Sequence, residues 1–329
     1  MANTNISSDQ IRRLTNSVTL AGALAELDRS KIREGVDKNG KKYISFRGAI
    51  QCGPTSVYTR SFRAYINATK ADGSDSENYT RVKEWLAKAV PMTQNKDNPT
   101  MVRVVGSLSA NDYIDSTNKM QNGFEVSAQF FNDFDPNAEN GGYACNIDIE
   151  GFIAGVSDEE RGTDGNTRLT GRKIIRLLSM DFYRNVLDLK KIFVNQDIAE
   201  ELENAGYERG ATVKMYIDWE PNANEPVVSK AKSFGKVHET TNGRNYLEMV
   251  MIGGDVAYDP DSNMALSQDT ARLMLTERAS RLKTLEAEGY KGSSTGNGGT
   301  STNRTGSFGK ASSTAKMSPV IDDDEDFPF

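Results

Sequence analysis

Few residues in this chain could do covalent or metal chemistry. His238 is the only histidine, and Cys52 and Cys145 are the only cysteines. On that count Ser-His-Asp and Cys-His catalysis are not expected, and three soft ligands fall short of the four a structural zinc site wants. Each cysteine sits among apolar or small residues, as buried reduced thiols do, and two in a chain this long do not make a disulfide scaffold. The acid clusters Asp148/Glu150 and Asp158-Glu159-Glu160 could bind Mg²⁺ for a nuclease, but they read better as strand-edge and loop charges. The run Gly306-Ser307-Phe308-Gly309-Lys310 resembles a phosphate loop only superficially, because the four-residue spacing between glycines is absent and no strand precedes it. No cofactor and no metal are expected, and the chain reads as a non-enzyme, with a Mg-dependent nuclease as the remote alternative.

A second kind of chemistry is better supplied. Holding a single strand without reading its sequence needs cations for phosphates and aromatic faces for bases to stack on. Residues 40–70 contain six basic residues and no acid, with Tyr43, Phe46, Tyr58, Phe62 and Tyr65 interleaved among Arg47, Arg60 and Arg63. Alternation along 43–50 puts Ile44, Phe46 and Ile50 on a core face and Tyr43, Ser45 and Arg47 on the other. Along 57–66 the split is ambiguous: Tyr58, Arg60 and Phe62 share one face, Arg63 and Tyr65 the other. The first set is taken as facing the groove, and Arg63 is kept as a candidate. Residues 168–194 carry seven basic residues against two acids. From there and beyond, Arg172, Lys173, Arg176, Arg184, Lys191, Phe193, Lys214, Tyr216, Lys232 and Phe234 complete the candidate DNA-binding set. Trp85 and Trp219 read as packed rather than stacked.

The carboxyl end carries the sharpest signal. Asp322-Asp323-Asp324-Glu325-Asp326-Phe327-Pro328-Phe329 places five consecutive acids before two aromatics. A terminal Phe can fill an apolar pocket while its α-carboxylate pairs with an Arg, and the acids can lie on a basic rim. Of residues 291–321, 18 are Gly, Ser or Thr and none is acidic, the composition of a disordered linker. The tip resembles that of bacterial and phage single-stranded DNA-binding proteins, whose Gly-rich linker leads to an acidic run closed by Pro-Phe. Asp322–Asp326, Pro328 and Phe329 match it, and Phe327 stands where an aliphatic residue often precedes the Pro. The body resembles the divergent phage-encoded members rather than the shorter bacterial form. The resemblance implies OB-fold barrels, binding and protection of single-stranded DNA in replication, recombination and repair, and recruitment of partner proteins by residues 322–329. A recombination mediator or replication scaffold with weak DNA binding is the alternative. A homo-oligomer stays open, because bacterial forms with one OB fold are tetramers, and so does a preference for RNA.

These residues need a scaffold, and at 329 residues, 37% hydrophobic and 26% charged, the chain can build two ordinary domains. The net charge of −6 is segregated, so basic faces can coexist with an acidic whole. Apolar residues at three- and four-residue steps (Ile11, Leu14, Val18, Ala21, Leu24, Leu27) predict a helix over 8–33. Strands are predicted over 43–50, 57–66, 101–108, 124–131 and 143–153, with a helix over 78–90 closed by Pro91. A second unit has strands over 147–156, 173–182, 186–194 and 213–219, and a helix over 197–205. Its last strand pair, 227–237 and 244–252, turns at Asn242-Gly243. Residues 269–286 form a further helix. The fold class is mainly β with peripheral helices: one or two OB-fold β-barrels and a disordered tail. The divisions are 1–147 (N-terminal helix and first barrel), 148–262 (second barrel), 263–290 (helix), 291–321 (linker) and 322–329 (tip). Residues 1–10 lack the basic, then apolar pattern of a signal peptide, and no run reaches the roughly 18 apolar residues of a membrane span. A cytoplasmic protein (host cytoplasm if phage-encoded) is expected.

Overall fold

The computed structural model describes residues 11–70, 72–138, 142–161, 168–222, 227–229, 238–240 and 247–290. Its first half runs β1 (Asn16–Leu27), β2 (Arg33–Val36), β3 (Lys42–Gln51), β4 (Thr59–Asn67), α1 (Glu77–Lys88), β5 (Met101–Ala110), a small hairpin of β6 (Tyr113–Ile114) and β7 (Met120–Gln121), and β8 (Phe124–Asp133). The second half runs β9 (Ala144–Arg161), β10 (Arg168–Met180), β11 (Val186–Val194), α2 (Gln196–Asn204), β12 (Thr212–Pro221), β13 (Val227–Ser229), β14 (His238–Thr240), β15 (Leu247–Gly254) and α3 (Gln268–Glu288).

Strand pairing closes two rings. In the first, β1 pairs with β3, β3 with β4, β4 with β8, β8 with β5 and β5 with β1, and only β4–β8 is parallel. In the second, β9, β10, β11, β15 and β12 repeat the same circuit, with β11–β15 as the parallel pair. In each ring a helix joins the third strand to the fourth. This order resembles the OB-fold topology.

The rings are joined strand to strand. Residues 16–21 of β1 pair antiparallel with residues 144–149 of β9, after which each strand leaves its partner for the second strand of its own ring, β3 or β10. The departure needs glycine at equivalent places. A Cβ on Gly22 would lie 2.0 Å from the Gln51 carbonyl oxygen of β3, and one on Gly151 would lie 2.4 Å from the Leu178 oxygen of β10. Both crossovers bring backbone against backbone at a spacing that no side chain fits.

The predicted helix over 8–33 is corrected: from Asn16 to Leu27 this segment is β1, followed by a single 3-10 turn at Arg29–Lys31 and then β2. Because β1 is shared by two rings, Val18, Leu20, Ala21 and Leu24 are all fully buried. A strand buried on both faces loses its alternation, and its apolar positions then mimic a helical stripe. The last predicted strand pair is also corrected, since β13 pairs with β14 while β15 joins β12 and closes the second ring. The predicted turn at 242–243 lies outside the described residues.

Helix α1 starts at Ser76, whose side chain accepts a bond from the Tyr79 amide, and it buries Val82, Trp85 and Leu86. Trp85 meets Phe131 at 4.6 Å between ring centroids, and Phe46 and Phe62 complete that cluster. Helix α3 lays Ala271 and Met274 against Phe152, Leu178, Met180 and Val186. Its Arg278 donates to the fully buried Asp112 carboxylate at 3.0 Å and to the Val186 carbonyl at 2.7 Å, tying the helix to both rings. Removing Arg278 leaves the buried Asp112 carboxylate to longer contacts such as Arg281 at 3.8 Å, which offset its burial less well. Arg278→Ala should therefore destabilise the protein by about 3 kcal/mol, seen as a lower urea midpoint at constant m-value. Both cysteines are buried free thiols. Among the described residues no helix is long and apolar enough to cross a membrane, and no three His, Cys, Asp or Glu side chains gather as a metal site would require.

Candidate nucleic-acid interface

Strands β3 and β4 build the most suitable surface. Period-two alternation sends Ile44, Phe46 and Ile50 of β3, with Phe62, Ala64 and Ile66 of β4, into the first ring, where all are buried. The opposite face then carries Tyr43, Ser45 and Arg47 beside Ser61, Arg63 and Tyr65. Register sets Arg47 across from Arg63 and Ser45 across from Tyr65. The Tyr43 and Tyr65 rings stack with centroids 4.7 Å apart and 20° between planes, while Arg47 and Arg63 are exposed. Two guanidiniums opposite one another repel. Glu125 of β8 partly offsets this, with a carboxylate oxygen 3.5 Å from Arg63.

This face opens on a groove of about 910 Å³, to which Lys31 and Arg33 add charge from the connection between β1 and β3. In an OB-like ring the face of the second and third strands is where oligonucleotides lie. Arg60 occupies an inward position near the start of β4. It leaves the ring at the groove floor, and its guanidinium covers the Trp219 ring of the second ring at 4.2 Å. Burial pushes the Arg60 guanidinium below its ordinary value, with only the Cys145 and Cys52 thiols acting in the other direction. Lys31 is paired with Asp28 at 3.0 Å, but among the described residues no carboxylate pairs with Arg33, Arg47 or Arg60. A desolvated cation without a counter-charge, at the floor of a cleft, favours an anionic ligand.

The structure gathers Arg47, Arg60 and Arg63 around this groove, and sets Tyr43 on the same β3–β4 face outside its lining. Phe62 also borders the groove, but at 2% exposure it packs mainly in the aromatic core, on the β4 face shared with Ala64 and Ile66, while Tyr65 stands on the outward face. Strand β4 begins at Thr59, after a 3-10 turn at Ser56–Tyr58. Tyr58 lies in that turn, with its ring packed over Gly53.

The second-ring candidates are differently placed. Arg172 donates to Glu248 at 3.1 Å and covers the Phe193 ring at 4.3 Å. Phe193 is buried beneath that guanidinium, on the face of β11 opposite Ile192 and Val194, which join the core. Lys173 bonds Asp158 at 3.1 Å, and Arg176 grips Asp188 at 2.9 and 3.0 Å. Lys214 is held above its ordinary value by a hydrogen bond with Tyr216, with Asp255 and Asp148 adding to the effect. The Tyr216 hydroxyl in turn donates to Asp255 at 3.1 Å. Lys191 is exposed on β11. Arg184 has a left-handed backbone, φ 64°, and donates to the Ile11 carbonyl. Lys232, Phe234 and the tip Asp322–Phe329 lie outside the described residues.

Sequence reasoning sets Tyr65 on the face away from the groove and omits Arg33, and also Phe182 and Tyr183, which are 55% and 54% exposed at the turn between β10 and β11. Two adjacent aromatics in a hairpin turn were the available signal, because a turn has no core face to bury them.

The fold and this surface define a two-ring β protein with a cationic, aromatic groove on its first ring. The chain belongs to the YorF family, whose model matches residues 15–288. Among solved structures it is similar to the wild-type single-stranded DNA-binding protein from Thermus aquaticus, at 13% identity and TM-score 0.41, over 77% of this chain and 97% of that one. It is also similar to the Plasmodium falciparum single-stranded DNA-binding protein in complex with single-stranded DNA, at 13% identity and TM-score 0.23, over 38% of this chain and 98% of that one. The yeast (S. cerevisiae) mitochondrial single-stranded DNA-binding protein Rim1 is similar at 9% identity and TM-score 0.23, over 36% of this chain and 94% of that one. No curated protein matches the chain.

Proposed function

We propose that this protein binds and protects single-stranded DNA largely without sequence specificity, through the β3–β4 face, and that each ring is an OB-fold barrel. The observation that carries the reading is the stacked Tyr43–Tyr65 pair on the same β3–β4 face as Arg47 and Arg63, which line a groove whose Arg33, Arg47 and Arg60 lack carboxylate partners among the described residues. Stacking supplies sequence-tolerant affinity of about 1–3 kcal/mol per base, and the guanidiniums follow the phosphates. The acidic tip, residues 322–329, would recruit replication, recombination or repair proteins.

The test is a titration with oligo-dT, read by quenching of Trp219 in a Trp85→Phe background. Affinity should exceed that for duplex of equal length, and log K should fall against log salt by about 0.7 per phosphate contacted. Binding of duplex as tightly as single strand, or no dependence on salt, would overturn the reading. A scaffold that holds DNA weakly is the second reading. It is favoured by the carboxylates that occupy Arg172, Lys173 and Arg176, and the same titration separates the two.

A further inference from the structure

The β10–β11 hairpin belongs to the second ring, yet its turn sits against the first. Asp181 organises it. One carboxylate oxygen accepts the Tyr183 and Asn185 amides, both at 2.8 Å, while the other accepts the Asn185 side chain at 2.9 Å and the Ala110 amide of β5 at 3.3 Å. The Asp181 and Asn185 main chains close the turn at 2.9 Å, and Arg278 of α3 holds the start of β11 from below. The turn is thus fixed before any ligand arrives, and it is fixed to the first ring.

What this rigid turn presents is two large aromatic side chains, each about half exposed, with ring centroids 5.4 Å apart. The exposed half of each ring leaves apolar surface in water, at a cost in hydrophobic free energy that a ligand could recover. Their neighbours are cationic. The Arg13 guanidinium lies 5.0 Å from the Phe182 ring, and Arg12, Arg13 and Arg184 line the small cavity beside it. The bond from the Ala110 amide to Asp181 sets the turn one residue from Asn111, which lines the β3–β4 groove. The turn with Phe182 and Tyr183 therefore lies next to the wall of the groove that Arg63, Asn111 and Phe124 line, and Arg13 stands on its Phe182 side.

We infer that this turn is a stacking bridge on which single-stranded nucleic acid passes from the first ring to the second, with bases on Tyr183 and Phe182 and phosphates beside Arg63 and Arg13. The inference rests on the proposed function and extends it to residues of the other ring. The pre-ordered turn lowers the entropy lost on binding, since only the ligand must be fixed.

An oligo-dT length series tests it, comparing the wild type with the double variant Phe182→Ala/Tyr183→Ala. Oligomers of about eight nucleotides, within the span of one OB fold, should bind both proteins alike. Longer oligomers should bind the wild type more tightly, and the double variant should forfeit at least about tenfold of that gain. Tyr183→Phe, which keeps the ring and loses the hydroxyl, should behave as wild type. Equal gains with length in wild type and double variant would overturn the bridge while leaving the β3–β4 groove in place. So would a uniform loss at every length, which would mark the turn as part of the first groove. A change in self-association by light scattering with DNA affinity intact would instead assign the turn to contact between copies. Failure of the wild type to bind any oligomer would remove the groove and the bridge together.

Discussion

Arg47→Glu combined with Arg63→Glu should lower oligo-dT affinity at least about 100-fold at low salt and reduce the salt slope by about 1.4, two contacts at about 0.7 each. The two residues face each other across β3 and β4, so the variant converts the most concentrated positive potential on the outer face into a negative one. Arg63 also meets Glu125, and reversal there leaves two carboxylates close together. Both guanidiniums are exposed, so water screens this repulsion and the fold should survive, with a thermal midpoint near that of the wild type. A fluorescence titration at several salt concentrations decides the matter. Unchanged affinity with an unchanged slope would exclude this face as the phosphate track. Reversing Lys173 and Arg176 instead should change affinity far less, because Asp158 and Asp188 already occupy those cations.

This contrast shows where sequence reasoning could and could not reach. The predicted strand over 43–50 matches β3, because one of its faces is core and the other solvent, and the alternation reads directly. In β4 the inward set includes Arg60, a charged residue that only the indole of Trp219 makes tolerable there. No local pattern discloses a partner 159 positions away in the chain. The 168–194 segment shows the converse. Its excess of basic residues looks like a binding surface along the sequence, but the neutralising acids Asp158 and Glu248 come from β9 and β15, neighbours only in the folded sheet. Strand β1 was misread for a related reason: sharing it between two rings buries it on both sides and erases the period that distinguishes strand from helix. Both helices were legible, since α1 and α2 each keep one apolar face on their ring, but α1 reads as following two strands rather than three while β1 is taken for a helix. The aromatic turn at Phe182 and Tyr183 was visible as residue types, but its approach to the other ring was not.

Deleting residues 322–329 should abolish capture of partner proteins while leaving oligo-dT affinity unchanged or raised. The two halves of this expectation have separate causes. The tip offers two Phe side chains beside five carboxylates, and removing both kinds of group takes away anchor and charge together, so no weakened recognition should survive. On the proposed reading, single-strand binding depends on the β3–β4 face, and the tip brings five carboxylates and no cation. The deletion removes five carboxylates tethered to a protein whose groove is cationic. Tethered acids compete with phosphates at high effective concentration, so any rise in DNA affinity should be greatest at low salt and fade as ions screen the tail. Pull-down with immobilised wild-type and truncated chains, alongside titrations at two salt concentrations, separates the roles. Loss of DNA binding on truncation would contradict the division of labour, and retained partner capture would place the recruiting surface on the rings. Phe329→Ala refines the point: it keeps all five acids, so it should cost partner capture as severely as deletion while leaving the salt-dependent competition with DNA intact.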